Sequence, residues 1–184
     1  NYMIHHNRIK QIQSLKTKKG RSKEKLFIIE GARCVHSYIK NSNLVNELFM
    51  SKHFSTINRK MIELCDKQNI DYTVVTDKDM KNLSDTKTPS GILGICAFQP
   101  QPSLNFDSKR WLYLYKISDP GNLGTLFRSA AWFNIKNIAL SKHSADAFNP
   151  KVVRSATGAH TYLNIHQNID CQIYLDHQYF IIGA

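Results

Sequence analysis

The segment Asp119–Arg128 holds the side chains with the clearest chemical potential. Residues 119–131 read DPGNLGTLFRSAA. Proline presets φ and glycine accepts a positive φ, so this start predicts a tight turn, after which Asn122 caps a helix. Gly121, Gly124 and Arg128 then share one side of that helix. Because helical side chains lean toward the N-terminus, the guanidinium of Arg128 is predicted to lie over both glycines, near free N–H groups that favour anions. The spacing therefore predicts a phosphate or ribose site.

Two other interpretations of this segment bear on its specificity. An arginine on a helix surface also pairs with neighbouring carboxylates, and the pattern alone leaves that alternative open. Ordinary dinucleotide or P-loop binding is poorly supported, because neither G-x-G-x-x-G nor G-x-x-x-x-G-K-[ST] occurs.

The charge distribution points to a nucleic-acid partner. The net charge is +11, and residues 1–25 carry eight Lys/Arg against one acid, while residues 26–108 carry nine of each and residues 109–184 carry eight against four. Such a patch is typical of RNA or DNA binding, and a solvated basic face or anionic lipid are its competitors. The candidate RNA-binding residues are Arg8, Lys10, Lys16, Lys18, Lys19, Arg21, Lys23, Arg33, Lys151 and Arg154.

Apolar periodicity predicts two α/β domains. We assign residues 1–100 to the first, 101–108 to a proline-containing linker, and 109–184 to a second domain that starts in the Rossmann manner. Predicted helices lie at about 5–18, 32–41, 55–68, 77–83, 122–133, 149–155 and 169–177. Predicted strands lie at about 26–29, 45–50, 72–75, 92–98, 111–116, 137–140, 162–165 and 179–182.

Several classes of site are not indicated by the composition. The four cysteines form no C-x-x-C pair and the histidines lack metal-ligand spacing, so we expect no metal site and no disulfide framework. No run of about 18 apolar residues predicts a membrane span. The first fifteen residues are too polar for a secretory signal, and the expected compartment is the cytoplasm.

The segment DPGNLGTLFRSAAWF resembles the first signature motif of SpoU (TrmH)-type RNA 2′-O-ribose methyltransferases, D-P-x-N-x-G-x-x-x-R-x-A. Residues matching it are Asp119, Pro120, Asn122, Gly124, Arg128 and Ala130. Residues 147–159 (AFNPKVVRSATGA) are similar to the family's next segment. Residues 8–31 and the loop 84–91 (SDTKTPSG) resemble its RNA-substrate-binding domain, which has a ribosomal-protein-like α/β fold.

The resemblance implies methylation of a ribose 2′-hydroxyl in rRNA or tRNA, with S-adenosylmethionine as the methyl donor and a homodimer as the assembly. It places Arg128 and Asn122 at active-site positions, Gly124 at a close-approach position, and Asp119, Pro120 and Gly121 in the structural part of the motif. A guanidinium has no acceptor lone pair with which to act as a base. We therefore expect Arg128 to hold the target phosphate and ribose and to stabilise the developing alkoxide, while the proton leaves to water or to a group outside this chain.

This sequence departs from the family pattern in three places. Asn134 stands where the family usually has glycine, and Ala156 and Thr157 replace serine and methionine. In the family, a G-x-E-type loop and a serine–asparagine-rich segment follow the strand predicted at 179–182, and neither motif occurs in this sequence. In the family these two segments form a trefoil knot and hold the donor and part of the dimer interface. We therefore expect an incomplete SPOUT domain that binds donor weakly or not at all, and we assign no donor-binding residue.

Three rival functions stay open from the sequence. They are a non-catalytic RNA-binding protein of ribosomal type, an inactive family member that binds RNA, and a basic scaffold without a specific ligand. A second α/β unit with a glycine-lined arginine argues against the first of these.

Overall fold

Four short apolar strands build the N-terminal sheet of the protein. In the computed structural model, which describes residues 4–183, the strands are β1 Leu26–Glu30, β2 Val45–Ser51, β3 Tyr72–Val75 and β4 Ile92–Ala97. Their order is β1-β4-β2-β3; β4 runs antiparallel to both its neighbours, and β2 is parallel to β3. The result is the mixed sheet of an α/β domain.

Both faces of this sheet are covered by helices. Its helices are α1 His6–Ser14, α2 Lys18–Glu24, α3 Ala32–Asn41, α4 Lys52–Ile57, α5 Arg59–Lys67 and α6 Asp77–Leu83. Alternate strand residues point to opposite faces. Phe27 and Ile29 pack with α3 and α5, whereas Ile28 packs with α1 and α6. Helix α1 docks on this second face by Ile9 and Ile12, and Leu15 just beyond its end is also buried.

Two predicted helices differ from the structure in their bounds. The predicted helix 5–18 ends at Ser14 as α1, and a further helix that the sequence did not predict, α2, begins at Lys18, where the Thr17 side chain accepts a hydrogen bond from the Gly20 N–H. The predicted helix 55–68 divides into α4 and α5 at Asn58. The Ser51 side chain caps α4 by accepting from the Phe54 N–H, which moves the helix start upstream.

A three-stranded parallel sheet forms the second unit. Strands β5 Trp111–Leu114, β6 Asn137–Leu140 and β7 Asn164–His166 lie in the order β5-β6-β7. Its helices are α7 Pro120–Trp132, α8 Pro150–Ala156 and α9 Gln172–Asp176, with a short 3-10 helix at Ala159–Tyr162. Residues 98–110 connect the two sheets without helix or strand. The predicted α/β class is confirmed for both units.

The two units pack directly on each other. Val153 of α8 joins the core cluster formed by α3 and the N-terminal sheet. Gly158 approaches α3 so closely that a Cβ there would lie 2.4 Å from the Ser37 Cβ. These contacts fix α3 against the second unit. Within residues 4–183, no helix is long and apolar enough to cross a membrane.

The predicted strand at 179–182 is wrong. Residues 178–183 form neither helix nor strand, and the side chains of Phe180 and Ile182 are exposed. A strand needs a neighbour to complete its hydrogen bonds, and no described strand pairs with this segment. The Tyr179 hydroxyl instead donates to the carbonyl oxygens of Phe106 and Ser108, at 2.7 and 2.5 Å.

Candidate nucleic-acid interface and active site

The start of α7 is built differently from the tight turn predicted for it. The Asp119 carboxylate accepts the Asn122 N–H at 2.7 Å and caps the helix, and Pro120 occupies its first turn. Gly121 lies inside the helix and has no positive φ. Proline is preorganised for a first helical position, so the helix begins two residues earlier than predicted. Asp119 therefore replaces Asn122 as the cap.

Gly124 is a contact point between two helices. A Cβ at Gly124 would lie 2.0 Å from the Ser155 Oγ and 2.6 Å from the Val152 carbonyl oxygen. The side of α7 that bears Gly124 is therefore covered by α8. This corrects the prediction that the Arg128 side chain lies over Gly121 and Gly124, because α8 occupies that space.

Arg128 instead faces an open surface groove. The groove, of about 430 Å³, is lined by Arg33 of α3, by four residues at the C-terminal half and end of α7 (Arg128, Ser129, Trp132 and Phe133), and by Thr157. Arg128 is exposed and forms no ion pair with any residue in 4–183. Trp132 and Phe133 are 86% and 69% exposed. Two guanidinium groups beside a flat indole can bind a phosphate and stack on a base.

Asn122 lies in a different depression from Arg128. That depression also contains Lys116, Asp119 and Thr125 at the N-terminal end of α7. Lys151 Nζ lies 3.5 Å from an Asp119 carboxylate oxygen, and both side chains are about half exposed. The Asn122 N–H lowers the pKa of Asp119, and Lys151 lowers it further. The two residues predicted to be catalytic therefore do not line one groove.

Some of the predicted RNA-binding cations are exposed and unpaired within residues 4–183, whereas others already bind groups of the protein itself. Those exposed and without an ion pair among the described residues are Lys10, Lys18, Lys19 and Arg33, while Lys23 lies 3.9 Å from Glu24. Arg8 pairs with Glu47, and Lys16 donates to the Ser84 carbonyl oxygen at 2.7 Å. Arg154 lies 3.5 Å from the buried Glu30 carboxylate, which also accepts the Ser84 hydroxyl at 2.6 Å.

Arg21 corrects the expectation that it contacts RNA. It is 2% exposed, and its guanidinium donates to the Asp146 carboxylate at 2.5 Å and to the Leu15 carbonyl oxygen at 2.8 Å. The partner lies 125 residues away in the chain, so local sequence could not reveal it. Arg21 joins the two units and is not available to a ligand.

Replacing Arg21 by methionine is expected to destabilise the protein by about 3 kcal/mol, because it leaves Asp146 without its buried partner. Urea denaturation measures the free energy of unfolding. The matched control is Lys18→Met in the same helix, where the side chain is exposed and the change is expected to stay within about 0.5 kcal/mol. Equal effects of the two substitutions would show that the Arg21–Asp146 pair does not hold the units together.

His160 is a structural residue beside the motif helix. It is buried, its Nε2–H donates to the Ala147 carbonyl oxygen at 2.7 Å, and its ring packs edge-on against Phe127. Burial lowers the pKa of His160 to about 4, so the ring is neutral at physiological pH. It reaches neither depression beside α7.

The depression at the start of α7 does not enclose a nucleoside-sized methyl donor. Donor-sized ligands bury most of their surface in a concave site. The depression at the start of α7 is open, and Asp119, Asn122 and Thr125 in it are exposed. These residues alone do not enclose S-adenosylmethionine.

Comparisons with known proteins agree with this arrangement of units. The MRM3-like substrate binding domain matches residues 6–94, and the SpoU rRNA Methylase family matches residues 109–183. The chain is 30% identical over 158 residues to the 23S rRNA (guanosine(2553)-2′-O)-methyltransferase RlmP of Bacillus subtilis, covering 86% of this chain and 60% of that protein. It is 30% identical to human rRNA methyltransferase 3, mitochondrial, covering 85% of this chain and 38% of that protein. The chain thus spans only part of the length of these relatives.

Solved structures share the fold. A TrmH-family protein from Porphyromonas gingivalis superposes with a TM-score of 0.75 at 26% identity, over 90% of this chain and 63% of that one. The SpoU methyltransferase AviRb of Streptomyces viridochromogenes, solved with AdoMet, gives a TM-score of 0.79 at 19% identity, over 94% and 66%. Residues 6–94 of this chain therefore resemble an MRM3-like substrate binding domain, and residues 109–183, which include the motif on α7, resemble the SpoU rRNA Methylase family.

Proposed function

We propose that the protein methylates a ribose 2′-hydroxyl in ribosomal RNA, with S-adenosylmethionine as the methyl donor. One observation carries the proposal: Arg128 of the family motif is exposed in a groove that it shares with Arg33 of the substrate-binding unit. RNA held on the N-terminal unit would thereby reach the motif helix. The names of the relatives, which are rRNA methyltransferases, favour rRNA over tRNA.

Within this chain, Arg128 would position the target nucleotide. Its planar guanidinium can donate two hydrogen bonds to a phosphate and still face the adjoining ribose. As the 2′-oxygen loses its proton, the fixed positive charge would stabilise the alkoxide that develops. Arg128 cannot accept the proton, which passes to water or to a group outside this chain.

The proposed RNA partner would also contact the N-terminal helices. Its phosphates would be neutralised by exposed lysines of α1 and α2, namely Lys10, Lys18, Lys19 and Lys23. Lys151 remains a candidate contact with RNA at the start of α7.

We propose a homodimer from the family resemblance. We propose the cytoplasm as the compartment from the bacterial relative, although other relatives are named as mitochondrial.

The proposal is tested by mapping 2′-O-methylation across rRNA and tRNA from cells with and without the gene. We expect at least one rRNA nucleotide to lose its methyl group in the deletion strain and to regain it on complementation. Identical methylation maps would contradict the enzymatic function and leave RNA binding as the activity of the chain. Loss confined to tRNA would move the proposed substrate to that class.

A further inference from the structure

A basic segment in the middle of the N-terminal unit contributes only Arg33 to the function proposed above. Residues 31–62 carry five Lys/Arg (Arg33, Lys40, Lys52, Arg59 and Lys60) and one acid, Glu47. Glu47 is already paired with Arg8. None of the five cations forms an ion pair with any residue in 4–183. The segment therefore presents uncompensated positive charge.

Helix α3 displays part of this charge along one face. Arg33 and Lys40 are seven residues apart, about two turns, and project on the same side of the helix as exposed side chains. His36 lies beside them and is also exposed. The opposite face of α3 is buried, and α3 has no acidic residue. Its solvent face therefore carries cationic side chains and no carboxylate.

The strip continues onto the start of α5. His36 and Lys40 line one depression together with Arg59 and Lys60, and no acidic side chain lines it. Arg33, Arg59 and Lys60 all stand in or before the second position of a helix, where a cation opposes the helix dipole and costs some stability. Their interaction with the helix dipoles is unfavourable, and an anionic partner would offset it.

The other end of the strip reaches the surface groove that contains Arg128. Arg33 lines the groove that contains Arg128. Helix α3 is held rigidly at this point, because Ser37 packs on Gly158 and its hydroxyl lies 3.4 Å from the Thr161 hydroxyl. The positive charge therefore runs without interruption from Arg128 along α3 to α5, on the face of the sheet opposite α1.

We propose that this strip, formed by Arg33, His36, Lys40, Arg59 and Lys60, binds the sugar–phosphate backbone of the RNA and leads the strand to Arg128. The inference rests on the proposed function only for where the strand ends. Phosphate contacts of this kind set register and orientation without reading sequence. The α3–α5 strip, rather than the strongly basic segment 1–25, is then the main path toward the groove.

Fluorescence anisotropy with a fluorescein-labelled RNA hairpin, in the absence of methyl donor, tests the proposal. The double variant Lys40→Gln/Lys60→Gln removes two charges from the strip. We expect its affinity to fall about tenfold at moderate salt, with a smaller slope of log affinity against log salt, since fewer counterions are released. The matched control is Lys78→Gln/Lys81→Gln on α6, which removes the same charge from exposed positions on the other face of the sheet.

A loss at least several-fold larger in the strip variant than in the control supports the proposal. Equal losses, or none in the strip variant, overturn it. Because all four lysines are exposed, thermal unfolding of each variant should match that of the parent protein. Binding is measured without methyl transfer, so a failure of the proposed enzymatic function would leave this result intact. Conversely, a methylating protein whose strip variant binds normally would refute the strip alone.

Discussion

Arg128→Ala is expected to lower kcat/KM for RNA methylation by roughly a hundred-fold to a thousand-fold, as removal of a preorganised charge at a developing oxyanion does in other enzymes. RNA affinity should fall much less, because several other cations contact the phosphates. Folding should be unaffected, since Arg128 is exposed and has no ion-pair partner among the described residues. Methyl transfer to rRNA and anisotropy on the same preparation measure the two effects separately.

Arg128→Lys is the informative companion variant. It keeps the charge but loses the planar fork of donors that grips a phosphate and an adjoining sugar together. We expect activity between those of the parent protein and Arg128→Ala. Near-normal turnover in Arg128→Ala would refute the assigned role. A parallel loss of RNA affinity and turnover would make Arg128 a binding residue only.

Gly124→Ala is expected to destabilise the protein by about 3 kcal/mol or more, the upper range of overpacking effects. The added Cβ would meet the Ser155 hydroxyl at 2.0 Å and the backbone oxygen of Val152 at 2.6 Å, so α7 and α8 must separate. The higher helix propensity of alanine offsets only about 1 kcal/mol of this. The free energy of unfolding from urea denaturation gives the result.

Gly121→Ala is the matched control in the same helix. A Cβ at Gly121 meets only the flexible side chains of Asp119 and Lys151, at 3.0 and 3.7 Å. Its effect on stability should stay within about 1 kcal/mol. If Gly124→Ala were as stable as Gly121→Ala, the close contact between α7 and α8 would not be a requirement of the fold. The position of Gly124 in the motif would then need a different explanation.

The pattern of apolar residues predicted the element types well, because burial depends on periodicity. The strands at β3 and β6 and the helices α3 and α6 have the predicted bounds. The failures arise where local side-chain chemistry competes with periodicity. The side chains of Thr17 and Ser51 cap helices at positions where the apolar pattern predicts no helix start. Apolar periodicity does not detect such capping hydrogen bonds.

The candidate site was predicted only in part. The motif identified Arg128 as a candidate contact for phosphate and ribose, but the direction of its side chain depends on α8, whose position on α7 is a tertiary property. The sequence predicted Arg21 to be a surface cation, because its partner Asp146 lies far along the chain. Charge counts over residues 26–108 summed to zero and so concealed the basic segment 31–62. A net charge summed over so long a segment does not show that the basic residues of 31–62 lie on one face of the folded unit.

One departure from the family pattern has a simple physical explanation. Asn134 replaces the usual glycine directly after α7, and its φ is +54°. Asparagine is the residue that most readily replaces glycine in this left-handed conformation at a helix end. The Ile135 N–H then donates to the Ala130 carbonyl oxygen at 2.8 Å, which completes the end of the helix.

A structure of the protein expressed from its complete gene, bound to its rRNA target, would show where the target nucleotide lies relative to Arg128. We expect the guanidinium of Arg128 to lie within hydrogen-bonding distance of the phosphate or ribose of the methylated nucleotide, with the preceding backbone lying along α3. A structure in which the groove of Arg33 and Arg128 is filled by protein, while the target nucleotide is bound elsewhere, would contradict it.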